Sequence, residues 1–232
     1  MKSTVNSLKI TLLTSVIVLF SFDLSGQDNK GNPLPHFLFP TFIEGRVIMK
    51  DGSNFTTLLN YNMVEERMIT ELDGIYRYSK NPKLIDTIHL ENRVFVPEEN
   101  AFYEILSSGP VTFFQQNKSN LTPIGSEVGY GAKSRSVGPT QQKRFELIPV
   151  SELGGEVVNI NLPPNVEITP VSVFWVRMNH IFKKFSTERQ FLKIFPEYIP
   201  ELKEYFKKEN INIKSREDVI KLGNYCNELI KN

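Results

Sequence analysis

The feature that most constrains this chain is a series of tight-turn residues set between short apolar runs over residues 37–116. Asp51-Gly52, Asp73-Gly74, Glu91-Asn92 and the stretch 107–110 recur at near-regular spacing. Glycine, asparagine and aspartate tolerate the positive φ that short hairpin loops demand, so such dipeptides between apolar runs read as hairpins. The runs at 46–50 and 55–61, 68–72 and 75–78, 85–90 and 93–96, and 101–106 and 111–116 pair off as four hairpins. Asp51-Gly52 is expected to form a type I′ turn. Each strand then pairs mainly with its neighbour in sequence, which predicts an antiparallel meander, a small barrel or a sandwich.

Downstream the pattern changes twice. Residues 119–143 carry Gly125, Gly129, Gly131 and Gly138 with few large apolar side chains, and read as a loop or linker. Short apolar runs resume at 145–150, 157–162 and 171–177, with a last hairpin into 181–185. From residue 186 the period becomes helical. Phe191, Leu192 and Phe195 form one apolar face. Ile199, Leu202, Tyr205 and Phe206 form a second, and Val219, Leu222, Cys226 and Leu229 a third. Thr187 with Gln190, and Ser215 with Asp218, have capping-box spacing. Helices this short are marginal alone and must pack on one another or on the sheet. The expected fold class is therefore α+β: an antiparallel β-rich body with a C-terminal bundle of about three short helices. The expected segments are 1–26, 27–36 (a polar lead-in), 37–118, 119–143, 144–185 and 186–232.

Residues 1–26 have the form of a secretory signal: Lys2 and Lys9, an uncharged apolar stretch at 10–22, then Ser25-Gly26 before Gln27. Asp23 stops the run short of the roughly 20 apolar residues that a membrane span needs. No later stretch is long and apolar enough to span, so the mature chain is expected to be soluble or peripherally attached. The 27 basic and 26 acidic side chains of the full chain fall to 25 of each once Lys2, Lys9 and Asp23 leave with the signal. That balance argues against a nucleic-acid binder and against a polybasic membrane-surface module. A hydrophobic content of 40% is ample for a packed core.

Catalytic and metal-binding patterns are sparse. His36, His89 and His180 are dispersed, and no pair has the spacing of a metal site. The stretch from Gly129 to Ser134 imitates a phosphate loop, but Ala132 and Glu127 stand where that loop requires glycines. Glu65-Glu66 and Glu98-Glu99 are adjacent acidic pairs in the β-rich part of the chain, and neighbours on an extended strand face opposite ways. Cys226 reads as a small buried side chain on a helix. Trp175 and Tyr61 are the aromatic residues to consider as ligand contacts, although aromatics at strand spacing more often pack a core. No metal and no cofactor is expected.

Gly45-Arg46-Val47-Ile48-Met49-Lys50-Asp51-Gly52, Leu59-Asn60-Tyr61-Asn62, Arg93-Val94-Phe95-Val96-Pro97 and Leu192-Lys193-Ile194-Phe195-Pro196 follow one another in this order. With the signal ending in Ser-Gly-Gln, the chain resembles a group of uncharacterised secreted proteins of Bacteroidota bacteria. That resemblance implies export and a β-rich body with a helical tail; it implies no activity and no site residues. The chain also lacks a closing aromatic strand and a terminal β-sandwich sorting domain, which points to the periplasm or the outer membrane's inner face, with secretion as the remaining option. The expected function is a non-enzymatic binding or scaffolding module with the helical tail as a docking element for an envelope partner. The alternatives are a carrier of a small apolar ligand in a barrel-like body, or a hydrolase of envelope glycans or peptides whose site converges only in the fold.

Overall fold

The computed structural model describes residues 34–79, 81–99, 101–124, 127–128, 132–133, 155–163, 165–179 and 181–231. The signal segment 1–26, the lead-in up to residue 33, most of 119–143, the run 145–150 and His180 lie outside the described residues. The body is one antiparallel sheet. Its strands are β1 (Ile43–Met49), β2 (Asn54–Asn62), β3 (Arg67–Leu72), β4 (Ile75–Ser79), β5 (Ile85–Leu90), β6 (Arg93–Glu98), β7 (Ala101–Ser107) and β8 (Thr112–Pro123). After a separate two-stranded ribbon, β9 (Glu127–Val128) with β10 (Ala132–Lys133), come β11 (Gly155–Val157), β12 (Val166–Met178) and β13 (Ile181–Phe185). The order across the 11-stranded sheet is β11-β4-β3-β2-β1-β5-β6-β7-β8-β12-β13.

The four expected hairpins are present, with two departures. First, Asp73 and Gly74 both have positive φ (53° and 73°), as a type I′ turn requires, but in the β1–β2 turn only Gly52 does. There Gly52 N–H bonds back to Met49 and the Asp51 carboxylate accepts from Ser53 N–H, so the turn is closed by its side chain rather than by two left-handed residues. Second, β8 runs through Pro123, past the expected boundary at 118, because β12 pairs with it along its whole length from Thr112–Arg177 to Pro123–Val166. Of the expected strand near 157–162 only Val157 joins the sheet, as the last residue of β11.

The sheet is neither a closed barrel nor a sandwich: β11 and β13 each have one neighbour. It is nevertheless rolled. The turn after β2 reaches β7 and β8, where Phe102 N–H donates to Glu66 O (3.1 Å) and Ser119 N–H to Met63 O (2.8 Å). Glu66 takes a left-handed conformation (φ 57°) to make this turn. The roll encloses Leu59, Tyr61, Ile88, Leu90 and Phe95, all fully buried. Gly45 makes room there, since a Cβ would sit 2.5 Å from the Leu90 side chain and 2.9 Å from that of Leu59. On the outer face of β3 and β4, Ile69 and Tyr78 are covered by Phe37, Val158 and Ile160.

The inner face continues under the helices α1 (Glu188–Leu192), α2 (Ile199–Lys208) and α3 (Arg216–Lys231). Both predicted caps form: Thr187 Oγ1 accepts from Gln190 N–H, and Ser215 Oγ from Asp218 N–H. Pro196 opens a single 3-10 turn, Pro196–Tyr198, that leads directly into α2. The three apolar faces converge on Phe113, Phe174, Val176 and Phe185 of the sheet. Phe113 is the hub, with the rings of Phe185, Phe191 and Phe195 centred 6.1–6.3 Å away. Gly223 lets α3 approach, because a Cβ would lie 2.8 Å from Ser107 and 3.0 Å from the Phe113 ring.

One row of cross-strand partners ties the two halves of the inner face together: Val47, Ile88, Phe95, Glu104, Gln115, Phe174, Phe185. Its apolar ends belong to the two main cores, and its middle is polar. Glu104 is completely buried and pairs with Arg216 at the start of α3, with Arg93 of β6 (3.6 Å), and through a hydrogen bond with Asn117 (3.2 Å). Replacing Arg216 with Ala leaves that buried carboxylate with half its compensation. The expected loss is about 2–3 kcal/mol, measured by urea unfolding; it falls short of a fully buried pair because Arg216 is partly exposed.

His36 is buried at the start of the described chain, and burial pushes its pKa from 6.5 to about 4, against a weaker opposite pull from the Ile160 main chain. The unfolded chain therefore takes up a proton below pH 6.5 that the folded chain refuses. Stability should be complete above that pH and decline toward pH 4, by on the order of 2 kcal/mol. In chemical-denaturation series across this range, His36→Leu should flatten the decline.

Candidate functional site

The sheet places Trp175 and Tyr61 in different surroundings. Tyr61 is fully buried, stacked against Phe95 (5.8 Å between centroids), and donates its hydroxyl hydrogen to Phe102 O at 3.2 Å. It packs the rolled interior and offers no ring face to a ligand. Trp175 is half-buried on the face of β12 opposite the helices. Phe182 stacks on it at 4.8 Å, Tyr103 meets it edge-on at 5.9 Å, and its indole N–H donates to Gln116 Oε1 at 3.0 Å. The Gln116 amide nitrogen in turn donates to Glu66, whose other oxygen pairs with Lys118 at 2.6 Å. Burial, with the nearby Glu66 carboxylate adding to it, pushes the Tyr103 phenol up to about 12. The polar end of Trp175 is thus tied down by a neighbour, which is how a packed aromatic corner is built.

The polar belt around Glu104 was not apparent in the sequence. Gln115 donates to Asn117 Oδ1 (2.7 Å) and Ser172 Oγ (2.8 Å), extending the network that holds Glu104. The one hint in the sequence is a glutamate in step with Phe102 on an otherwise apolar strand. A carboxylate held by two arginines and sealed from solvent is a structural device here. The adjacent acidic pairs are no dyad either: Glu66 and Glu99 both adopt left-handed turn conformations (φ 57° and 53°), not the extended geometry expected of them. Among the described residues, no group of three His, Cys, Asp or Glu side chains could hold a metal ion.

A concave feature of the described surface lies on the helical tail. It is a groove of about 580 Å3 lined by Thr187, Glu188, Arg189, Leu192, Lys193, Ile199 and Lys203. Its origin is local. The Thr187 cap turns α1 out of β13, and Pro196 breaks the chain so that α2 starts beside α1 at a new angle. The sides of α1 and α2 that do not face the core are left as the walls. Leu192 and Ile199 supply an apolar floor, and Arg189, Lys193 and Lys203 are exposed on the rim. None of the three has a carboxylate within ion-pair distance among the described residues. Glu188 is the one acid in the lining. Arg189 on α1 and Lys193 at its C-cap are four apart, an arrangement that puts like charges side by side at a small cost. Such a rim attracts anions.

Among the described residues, the large apolar side chains that stay exposed lie on the body: Phe55, Leu58, Leu72, Ile75, Leu84, Ile124 and Ile181. None is in the tail, where an apolar docking face would have shown, since the three helical faces are spent on the core. Lys183 and Lys184 are exposed on the edge strand β13, where lysine discourages pairing with a second sheet. Cys226 is buried in that same tail core, and burial alone pushes its thiol up to about 12. It should resist an aromatic disulfide reagent at pH 8 in the folded protein and react fully only in denaturant. Rapid labelling of the native chain would mean that the tail detaches.

Comparison with protein-family models, with curated proteins and with solved structures gave no match to this chain.

Proposed function

We propose that this chain is an exported envelope protein, periplasmic or associated with the outer membrane, that binds or scaffolds a partner through its helical tail and catalyses no reaction. The observation that carries this reading is the groove between α1 and α2. It combines an apolar floor with three exposed, unmatched cations on a part of the fold that is otherwise anchored firmly to the sheet. A rigid platform with a shaped, charged recess suits recognition, because little ordering entropy is lost on binding. Export rests on the pattern of residues 1–26 and on the resemblance of the chain to secreted proteins.

The alternatives draw less support. A carrier of apolar ligands needs an interior cavity, and the rolled sheet is filled by Tyr61, Phe95, Ile88 and Leu90. A hydrolase needs a reachable acid–base pair, and the most heavily engaged carboxylate, Glu104, is sealed.

A photo-crosslinking residue at Lys193, in cells that express the protein natively, should give a discrete adduct in the envelope fraction. The same probe at Lys83, exposed in the turn before β5 and outside the groove, should give none. Absence of adducts at Lys193 under conditions that crosslink a known envelope pair would count against the docking role of the tail.

A further inference from the structure

We infer that the groove between α1 and α2 takes an acidic peptide segment carrying an apolar anchor residue. The inference rests on reading the groove as a docking surface, and it specifies the chemistry of the occupant. Charge complementarity is the first argument. Arg189, Lys193 and Lys203 stand on the rim with Glu188 as the only opposing charge in the lining, and Lys207 follows one turn beyond Lys203 on α2. The three cations sit on two helices and so flank the floor from both sides. A ligand must therefore present several negative groups spaced along its length. Carboxylates on successive residues of an extended or helical segment do so, whereas a single phosphate or fatty-acid headgroup satisfies one wall only.

The floor supplies the second argument. Leu192 is nearly buried and Ile199 is half-buried, so a strip of apolar surface runs between the charged walls. An aliphatic or aromatic side chain laid on it gains from leaving water, roughly 1.5–3 kcal/mol when its burial is complete. The groove is open to solvent along its length. An acyl chain laid there would stay partly in water. An acidic segment with one apolar side chain uses both features. The attraction is electrostatic and exposed, so binding should be fast, modest in affinity and sensitive to salt.

The test uses the full mature chain and a fluorescein-labelled peptide, Glu-Glu-Leu-Phe-Glu-Glu, read by anisotropy at low salt. Saturable binding is expected, weakening as salt approaches physiological strength. Lys193→Glu combined with Lys203→Glu should reduce affinity at least about tenfold, since two attractions become repulsions. Both positions are exposed, so the variant should fold, which circular dichroism checks directly. The control pair Lys50→Glu with Lys83→Glu makes the same change in net charge at exposed positions outside the lining and should retain most of the binding.

Equal loss in both pairs would overturn the inference by showing a bulk charge effect. Failure of the peptide to bind, or preferential binding to vesicles containing anionic phospholipid, would overturn it as well. Those failures are distinguishable from failure of the docking reading itself. An adduct at Lys193 in cells with no acidic-peptide binding would keep the docking surface and reject its proposed occupant.

Discussion

Glu104 is the point on which this architecture turns. The inner face of the sheet is apolar at both ends of one cross-strand row, around Ile88 and Phe95 on one side and Phe174 and Phe185 on the other. Between them a carboxylate lies wholly out of water. An isolated charge there would cost many kcal/mol, so the fold has to bring positive charge to it. Arg93 arrives from the neighbouring strand and Arg216 from a helix that begins 112 residues later in sequence. The carboxylate thereby fixes where α3 must start relative to the sheet. Gly223 then permits the close approach that this start demands, and the Phe113 cluster fills the space beneath. Affinity between tail and body comes from the apolar contacts; their alignment comes from the buried charge.

The sequence disclosed the local rules of this fold better than its global ones. Dipeptides such as Asp73-Gly74 declare a turn by themselves, because few residues accept their backbone angles, and Thr187 and Ser215 announce helix starts through a single hydrogen bond. These signals act over a few residues and survive without tertiary context. The return of β12 along the whole of β8 has no such marker. It depends on pairing between residues some 50 apart, and the polar run Gln115, Gln116 and Asn117 looks like a strand end until Ser172, Trp175, Glu66 and Glu104 are seen to bond with it. Polar side chains signal solvent in a linear reading and a buried network in a folded one.

The candidate site follows the same division. Trp175 and Tyr61 drew attention as large aromatics, and both are engaged in packing, one fully and one by half. The groove is made of residues that read as an ordinary solvated helix surface: Arg189, Lys193 and Lys203 are periodic charges of the kind that decorate most helices. What separates them from decoration is the bend at Pro196, which turns two convex surfaces into one concave one. A linear sequence shows that a proline interrupts a helix. It does not show the angle at which the next helix sets off, and that angle creates the recess.

The position of the tail in the chain also bears on how the protein comes into being. The aromatic floor formed by Phe113, Phe174 and Phe185 is complete once β13 has been made, yet it stays uncovered until residues 188–231 follow. A nascent or prematurely terminated chain therefore carries a broad, sticky aromatic surface next to a Glu104 that has Arg93 but not Arg216, and is a natural client for chaperones and proteases. Only a polypeptide that has run through α3 hides that surface and neutralises that charge together. Completion of the chain and closure of its interior are thus a single event, marked by the arrival of α3.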